Sequence, residues 1–276
     1  MLSGVAMPSE VEAADDELTL GYVNWACAEG KTYTAKAVLE ERLDFDVDTM
    51  MADAGPIYQG VADGDIDAFL AVWIPATDPH YVDQLEDEMI KAGVNYLDAR
   101  VGIVVPEYVD IDSIEEMNEH ADKFDNRIIG IDAGAGIMDA TQDAIDHYDL
   151  DLTLLDGSDA AMTASLMDAI DNEEWVAVTG WVPHWKFGRW DLKFLEDSDK
   201  IFGEAENIYS FTRQDLGADH PRVVNFMHDF RMDSEQLGEV MGWIDEGMEP
   251  EEAGRRWVEE NPEIVDSWLR AADVSE

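Results

Sequence analysis

Short apolar runs alternate with amphipathic segments from Glu17 onward, and this alternation limits the possible folds more than any other feature of the chain. The runs Leu18–Val23 and Ile66–Trp73 are typical of buried strands. The segments Lys31–Leu43 and Tyr81–Ala92 instead carry apolar residues at helical spacing. Strands that alternate with helices indicate parallel sheets with helices on both faces, so we predict an α/β fold.

The second half of the chain repeats this alternation and then changes character. Further strands are predicted at Val101–Val105, Arg127–Ile131, Leu152–Leu155 and Trp175–Thr179. Helices are predicted between them at Ile137–Tyr148 and Ser158–Ile170. Only helical segments follow Phe211. The apolar strands Val101–Val105 and Ile208–Phe211 are candidate crossings between two lobes.

These crossings divide the chain into parts. We predict two lobes, each a mainly parallel sheet flanked by helices. Lobe 1 comprises residues 17–104 plus 208–276, and lobe 2 comprises residues 105–207. Residues 1–16 are polar, small and acidic, and we predict a disordered N-terminal segment there.

Acidic residues far outnumber basic ones: 64 Asp and Glu against 17 Lys and Arg give a formal net charge of −47. Such a surface repels nucleic-acid phosphates and anionic lipid headgroups, so we predict no nucleic-acid partner. The acidic residues are spread along the whole chain, which resembles the composition of proteins from extreme halophiles. Molar salt would screen most of their mutual repulsion.

The sequence offers no motif for metal binding or covalent catalysis. The single cysteine, Cys27, excludes an internal disulfide and a thiolate zinc site. The run Asp44-Phe-Asp46-Val-Asp48 begins like a calcium loop, but Thr49 stands where the turn glycine belongs. No apolar run approaches the length of a membrane-spanning helix. We therefore predict no metal, no cofactor, no catalytic residue and no enzyme activity.

Tryptophan is unusually frequent, and three of the nine tryptophans stand near predicted strand ends. Trp25 follows the first strand, Trp73 closes the strand that starts at Ile66, and Trp181 follows the strand Trp175–Thr179. Ligands of open α/β sheets bind at the carboxyl ends of strands, so these three indoles can meet in one cleft. Indole faces attract quaternary ammonium groups. Each of these tryptophans could instead pack only in the core.

A glycine-rich turn provides a candidate anion site. In Gly130-Ile-Asp-Ala-Gly-Ala-Gly-Ile137 a strand leads into a helix, whose free N–H groups and positive dipole end suit a carboxylate. The spacing does not match a dinucleotide fingerprint, and a simple tight turn is the alternative. His80 and His184 follow Trp73 and Trp181 closely and could donate to the same anion.

Short motifs in a consistent order resemble the glycine betaine substrate-binding proteins of ABC importers. These motifs are Tyr22-Val-Asn-Trp25, Ala71-Val-Trp-Ile-Pro75, Gly130-Ile-Asp-Ala-Gly-Ala-Gly-Ile137, Ala160-Ala-Met-Thr163, Thr179-Gly-Trp-Val-Pro-His-Trp-Lys-Phe187 and Asp191-Leu-Lys-Phe-Leu-Glu-Asp197. The resemblance runs from about residue 18 to the end of the chain. It implies a two-lobed clamshell with the ligand held in the cleft between the lobes.

The resemblance also implies roles for individual residues. Trp25, Trp73 and Trp181 match the aromatic walls that hold the trimethylammonium group. Gly136 and Ile137 match the backbone amides that bind the carboxylate. Relatives place a carboxylate-binding histidine five residues after the tryptophan that matches Trp73, but Asp78 stands there in this chain. Either the loop shifts so that His80 serves, which we predict, or the contact is lost.

We therefore predict a monomeric binding protein rather than an enzyme. It binds glycine betaine or a related quaternary-ammonium solute in a tryptophan cage between two lobes and delivers it to the membrane permease of an ABC importer. We expect it at the cell surface, although neither a signal nor an anchor is recognisable. An enzyme acting on a quaternary amine and the sensing domain of a receptor are the alternatives. The preferred betaine and the roles of His80 and His184 stay open.

Overall fold

The computed structural model describes residues 16–270, and the predicted N-terminal segment at residues 1–16 lies almost entirely outside them. Strands in the described part are β1 (Glu17–Tyr22), β2 (Asp46–Met51), β3 (Ala68–Ile74), β4 (Met89–Pro106), β5 (Arg127–Ile129), β6 (Thr153–Leu155), β7 (Val178–Val182), β8 (Leu192–Phe194) and β9 (Glu206–Arg213).

Helices surround these strands. They are α1 (Ala26–Leu43), α2 (Ala54–Asp63), α3 (Pro79–Leu85), a 3₁₀ helix (Ile114–Phe124), α4 (Gly136–His147), α5 (Asp159–Asp171), α6 (Lys186–Arg189), α7 (Leu216–Asp219), α8 (Pro221–Asp229), α9 (Ser234–Asp245), α10 (Pro250–Glu260) and α11 (Pro262–Leu269). None of the helices within residues 16–270 is both long and apolar enough to cross a membrane.

The strands form one curled sheet in the order β2-β1-β3-β9-β4-β7-β5-β6, with β8 beside β4. Pairing is parallel towards both ends of this order, between β1 and its neighbours and between β5 and its neighbours. The central strands β9, β4 and β7 pair antiparallel. The predicted α/β class is confirmed, while the mainly parallel pairing that we predicted holds only for the outer strands.

The long strand β4 joins the two halves of the sheet. Its residues Met89–Ala99 pair with β9, and Arg100–Pro106 pair with β7 or β8. The predicted helix Tyr81–Ala92 is wrong, because α3 ends at Leu85 and the strand begins four residues later. Pairing with β9, which lies more than a hundred residues away in sequence, overrides the local apolar spacing.

The helices after β9 pack beside α1. The buried face of α1 meets α9 and α10, and a β-carbon on Gly30 of α1 would already touch Leu237 of α9. At Trp257 and Trp268, α10 and α11 stack two indole rings at 5.6 Å between centroids. The predicted run of C-terminal helices is thereby confirmed.

Candidate functional site

The three predicted tryptophans lie around one small cavity. It is lined by Trp25, Trp73, Thr77, Val101, Ile131, Ala135, Gly136, Ile137 and Trp181. Trp25 is 7% exposed, and Trp73 and Trp181 are each 3% exposed, so water is largely excluded from their ring faces. Predicted residues from four separate stretches of chain therefore meet at this cavity, and His80 is absent from its lining.

Each tryptophan reaches the cavity from a different element. Trp25 precedes α1 in extended conformation, and its Nε1 donates a hydrogen bond to Asp132 at 2.8 Å. Trp73 is the penultimate residue of β3. Trp181 lies inside β7, opposite Val101 of β4, rather than after the strand as predicted. Cross-strand neighbours share a face of the sheet, which places Trp181 and Val101 on the same wall.

The first turn of α4 provides the polar end of the cavity. Ala135 at the N-cap has no side chain that can accept from the helix, so the N–H groups of Gly136 and Ile137 are available to a ligand. The helix dipole adds positive potential there. A β-carbon on Gly136 would overlap the carbonyl oxygen of Thr77, so the close approach of the loop after β3 requires glycine.

That loop, residues 75–78, is held by two buried carboxylates. Glu206 of β9 accepts from the backbone N–H groups of Ala76 and Thr77 and from the Thr77 hydroxyl. Oδ2 of Asp78 accepts from the Trp73 N–H at 2.9 Å and from the Tyr58 hydroxyl at 2.9 Å. Burial raises the pKa of Asp78 to about 7, so this carboxyl is partly neutral near neutral pH.

His80 lies two residues further along, where its ring packs against Tyr81 at 4.0 Å between centroids. It is half-buried and lies outside the cavity lining. The residue at the critical position of the loop is therefore Asp78, whose side chain turns inward while His80 turns onto Tyr81. The predicted contact between His80 and a carboxylate stays a prediction.

His184 is fully engaged elsewhere. Its Nδ1 accepts from the Lys186 N–H at 3.1 Å, so its Nε2 carries the proton and donates to Asp159 at 3.0 Å. Burial lowers the pKa of His184 to about 4, and the positive charge of Lys186 adds to this shift. A neutral histidine with both ring nitrogens bonded has no donor left for a ligand.

Lys186 contacts the ring of Trp181 without lining the cavity. Its buried Nζ lies 4.1 Å from the centroid of Trp181 but Lys186 is not part of the cavity lining. Burial lowers the pKa of Lys186 to about 8. The cation and the ring attract one another, which fixes the orientation of Trp181.

A wider cleft lies near the start of α5, with Glu29, Trp185, Arg189 and Trp190 among its walls. Trp185 and Trp190 are half-buried there. This cleft is open, so water would weaken any cation–π contact in it, and Arg189 already lies over the rings of Trp185 and Trp190. The smaller aromatic cavity is the better candidate site.

Sequence reasoning missed part of the lining. Thr77, Val101, Ile131 and Ala135 line the cavity, but their types and spacing do not differ from those of core or turn residues. Asp78 did carry a signal, because it interrupts the expected pattern after Trp73. Its inward orientation and its two hydrogen bonds are visible only in the structure.

Comparison with known proteins identifies the family of this chain. The model of the family "Substrate binding domain of ABC-type glycine betaine transport system" matches residues 16–260. The glycine betaine/carnitine transport binding protein GbuC of Listeria monocytogenes is 44% identical over 144 residues. That alignment covers 51% of this chain and 48% of GbuC, so the chain matches about half the length of this relative.

Two solved structures are similar over nearly the whole chain. Lactococcal OpuAC, in a closed conformation complexed with glycine betaine, is 32% identical with a TM-score of 0.87, covering 92% of this chain and 99% of that one. The glycine betaine, L-proline-binding protein ProX of Borrelia burgdorferi is 34% identical with a TM-score of 0.88, covering 92% and 96%. The resemblance drawn from the sequence motifs is confirmed: the chain belongs to the family of substrate-binding domains of ABC-type glycine betaine transport systems.

Proposed function

We propose that this protein binds glycine betaine, or a closely related quaternary-ammonium solute, in the aromatic cavity and delivers it to the permease of an ABC importer. The observation that carries the proposal is the pairing of two unlike ends in one cavity. Three indoles form one end, and the first turn of α4 forms the other. A zwitterion with a methylated nitrogen and a carboxylate has the same two ends.

The indoles supply the binding energy for the cation. A trimethylammonium group cannot donate strong hydrogen bonds, so it is bound through the faces of aromatic rings. Each desolvated cation–π contact contributes about 2 kcal/mol, and micromolar affinity requires about 8 kcal/mol. Contacts with Trp25, Trp73 and Trp181 would therefore provide most of a micromolar affinity.

The carboxylate would bind the N–H groups of Gly136 and Ile137. These donors cost little to arrange, because α4 already fixes them in one direction. His80 would have to leave Tyr81 to reach the same carboxylate. The site needs no catalytic group for this function, and we propose a binding protein without enzyme activity.

We further propose the two-lobe division into residues 17–104 plus 208–276 and residues 105–207, with a monomer that acts at the outer face of the membrane. Hydrogen bonds between these proposed lobes support a closed arrangement. Among them are the bonds that join Trp25 to Asp132, Ala26 to Asp159 and Tyr81 to Gly134. Closure of this kind would bury the ligand and present a distinct surface to the permease.

Titration calorimetry with glycine betaine tests this function. We expect a dissociation constant near the micromolar range for the unmodified protein and a loss of affinity of at least about 30-fold in Trp73→Ala and in Trp181→Ala. Trp243→Ala is the matched control. Trp243 belongs to α9, where its ring packs under Arg256 of α10, and it does not line the cavity. Circular dichroism checks that each variant is folded. Equal affinity in all three variants would exclude the aromatic cavity as the binding site.

A further inference from the structure

The side chain of Asp78 has an unusual orientation for an aspartate at a helix start. It occupies the N-cap of α3 in sequence, yet its side chain makes no capping hydrogen bond. An N-cap aspartate normally accepts from the backbone of the first turn. Here the carboxyl is 1% exposed and turns inward, so Oδ2 accepts from the Trp73 N–H and the Tyr58 hydroxyl.

The second oxygen, Oδ1, has no hydrogen-bond partner among the described residues, although it is fully buried. Leaving such an atom unpaired is costly, since buried polar groups are almost always bonded. Oδ1 lies beside Gly136, 2.9 Å from the position that a β-carbon on that residue would take. The unpaired oxygen therefore lies beside Gly136, whose N–H begins the polar end of the cavity, while Asp78 itself stands just behind the lining residues Thr77 and Gly136.

Within residues 16–270, no positive charge beside this carboxyl balances an anion. Tyr58 from α2 donates to it, and Tyr81 from α3 stacks on Tyr58 at 4.5 Å between centroids. Glu206 from β9 adds a negative charge nearby. Asp139, in the first turn of α4, is a further acidic group on this side of the site. Burial and the charge of Glu206 raise the pKa of Asp78, although the hydrogen bonds from Trp73 and Tyr58 oppose the shift.

We propose that Asp78 binds the ligand in its protonated form, donating a hydrogen bond from Oδ1 to the ligand carboxylate held by Gly136 and Ile137. The proton belongs on Oδ1, because Oδ2 already accepts two hydrogen bonds. This inference rests on the proposed function, and it assigns to Asp78 the donor at the polar end of the site.

The proposal makes affinity depend on pH. If Asp78 were ionised, its carboxylate and the ligand carboxylate would face each other in a buried site. Their repulsion disfavours binding unless the two groups share a proton. Glycine betaine therefore binds the protonated form and raises the pKa of Asp78 further. Affinity is highest below the pKa of the free protein, about 7, and falls as the pH rises through it.

Calorimetry between about pH 6 and about pH 9 at constant molar salt measures this linkage. We expect the dissociation constant for glycine betaine to rise about tenfold per pH unit above the pKa of Asp78. Repeating the titration in buffers of different ionisation enthalpy counts protons. We expect uptake to approach one proton per ligand near pH 8.5 and to vanish near pH 6. Constant affinity without proton uptake over this range would overturn the proposal.

Asp78→Asn separates this carboxyl from its neighbours. The amide oxygen can accept from Trp73 and Tyr58 while the amide N–H₂ replaces the protonated Oδ1, so we expect strong binding at every pH and no proton uptake. Asp139→Asn is the matched control: it removes one exposed carboxylate of the first turn of α4 and should keep the pH dependence. His80→Gln should also keep it.

Two results with these variants contradict the role of Asp78. One is a pH dependence that survives in Asp78→Asn, and the other is a pH dependence that disappears in His80→Gln. The proton count on the unmodified protein decides the question even if a variant misfolds. Glycine betaine binding at any pH, with no linkage, would overturn the role of Asp78 while the proposed function stands. A lack of binding at every pH would overturn both.

Discussion

At the scale of single residues, the site depends on how closely two segments of backbone approach each other. The loop after β3 reaches the start of α4 at Gly136, where there is no room for a side chain beside Thr77. The same contact brings Asp78 next to the helix N-terminus. One small residue thus lets the aromatic wall at Trp73 and the amide donors of α4 share a single cavity.

Gly136→Ala tests this close approach. The added methyl group would push the loop away from α4, so we expect glycine betaine affinity to fall more than about tenfold and the protein to lose about 1–3 kcal/mol of stability. Gly242→Ala in α9 is the control, because no atom lies within 4 Å of its β-carbon position. It should bind normally and gain up to about 1 kcal/mol. Calorimetry and urea unfolding measure both quantities, and normal binding by Gly136→Ala would show that the loop can move away without loss.

The residue types of the site could be foreseen, but their orientations could not. Tryptophans near strand ends and a glycine-rich turn are visible in the sequence, and the structure brings Trp25, Trp73, Trp181 and Gly136 to one cavity. The loop after Trp73 was harder to predict. Asp78 turns inward because it accepts hydrogen bonds from Trp73 and from Tyr58 of α2. The spacing of residues in the sequence does not predict these bonds.

At the scale of elements, local signals located most helices, and tertiary pairing decided the strands. A capping box of Ser113 and Glu116, a pattern visible in the sequence, begins the 3₁₀ helix Ile114–Phe124. In contrast, Met89–Ala92 belongs to β4, although its apolar spacing suits a helix. A helix start satisfies its own backbone within a few residues, whereas a strand depends on a partner anywhere in the chain.

Helix α9 has a second capping box, which permits a test at this scale. Asp233 accepts from the N–H groups of Glu235 and Gln236, and the Gln236 side chain accepts from the Asp233 N–H. We expect Asp233→Ala to lower the free energy of unfolding by about 1 kcal/mol, measured by urea denaturation. The control Asp171→Ala removes an exposed acid from the last turn of α5 and should not destabilise the protein. If both substitutions lowered the free energy of unfolding equally, the loss would come from the removed charge and not from the lost cap.

At the scale of the whole molecule, the net charge of −47 sets the conditions under which the fold is stable. Few of these charges are balanced, because only 17 basic residues are available for ion pairs. The proposed ligand cavity is different, since its walls are buried indoles that the salt in solution does not reach. The fold should therefore respond to salt much more strongly than the binding site does.

Thermal unfolding in potassium chloride tests this difference. Screening at about 1 M salt shortens the Debye length to about 3 Å, and a gain of about 2 kcal/mol would raise the melting temperature by roughly 4–8 °C. Over the same range the dissociation constant for glycine betaine should change less than about threefold. Chloride is preferable to sulfate, which strengthens apolar burial in any protein. A melting temperature that does not rise would argue against charge repulsion as the main destabilising term.

The sequence by itself determined the chemistry available to this protein: its acidic surface, its indoles, its glycine-rich helix start and the α/β alternation that separates them. These properties depend on residue types and short spacings. The tertiary structure alone decided that β4 is one strand shared by both halves of the sheet and that Asp78 turns inward beside Gly136. Both outcomes depend on partners distant in the chain, and the energy of burying a strand or a carboxyl exists only once those partners have met.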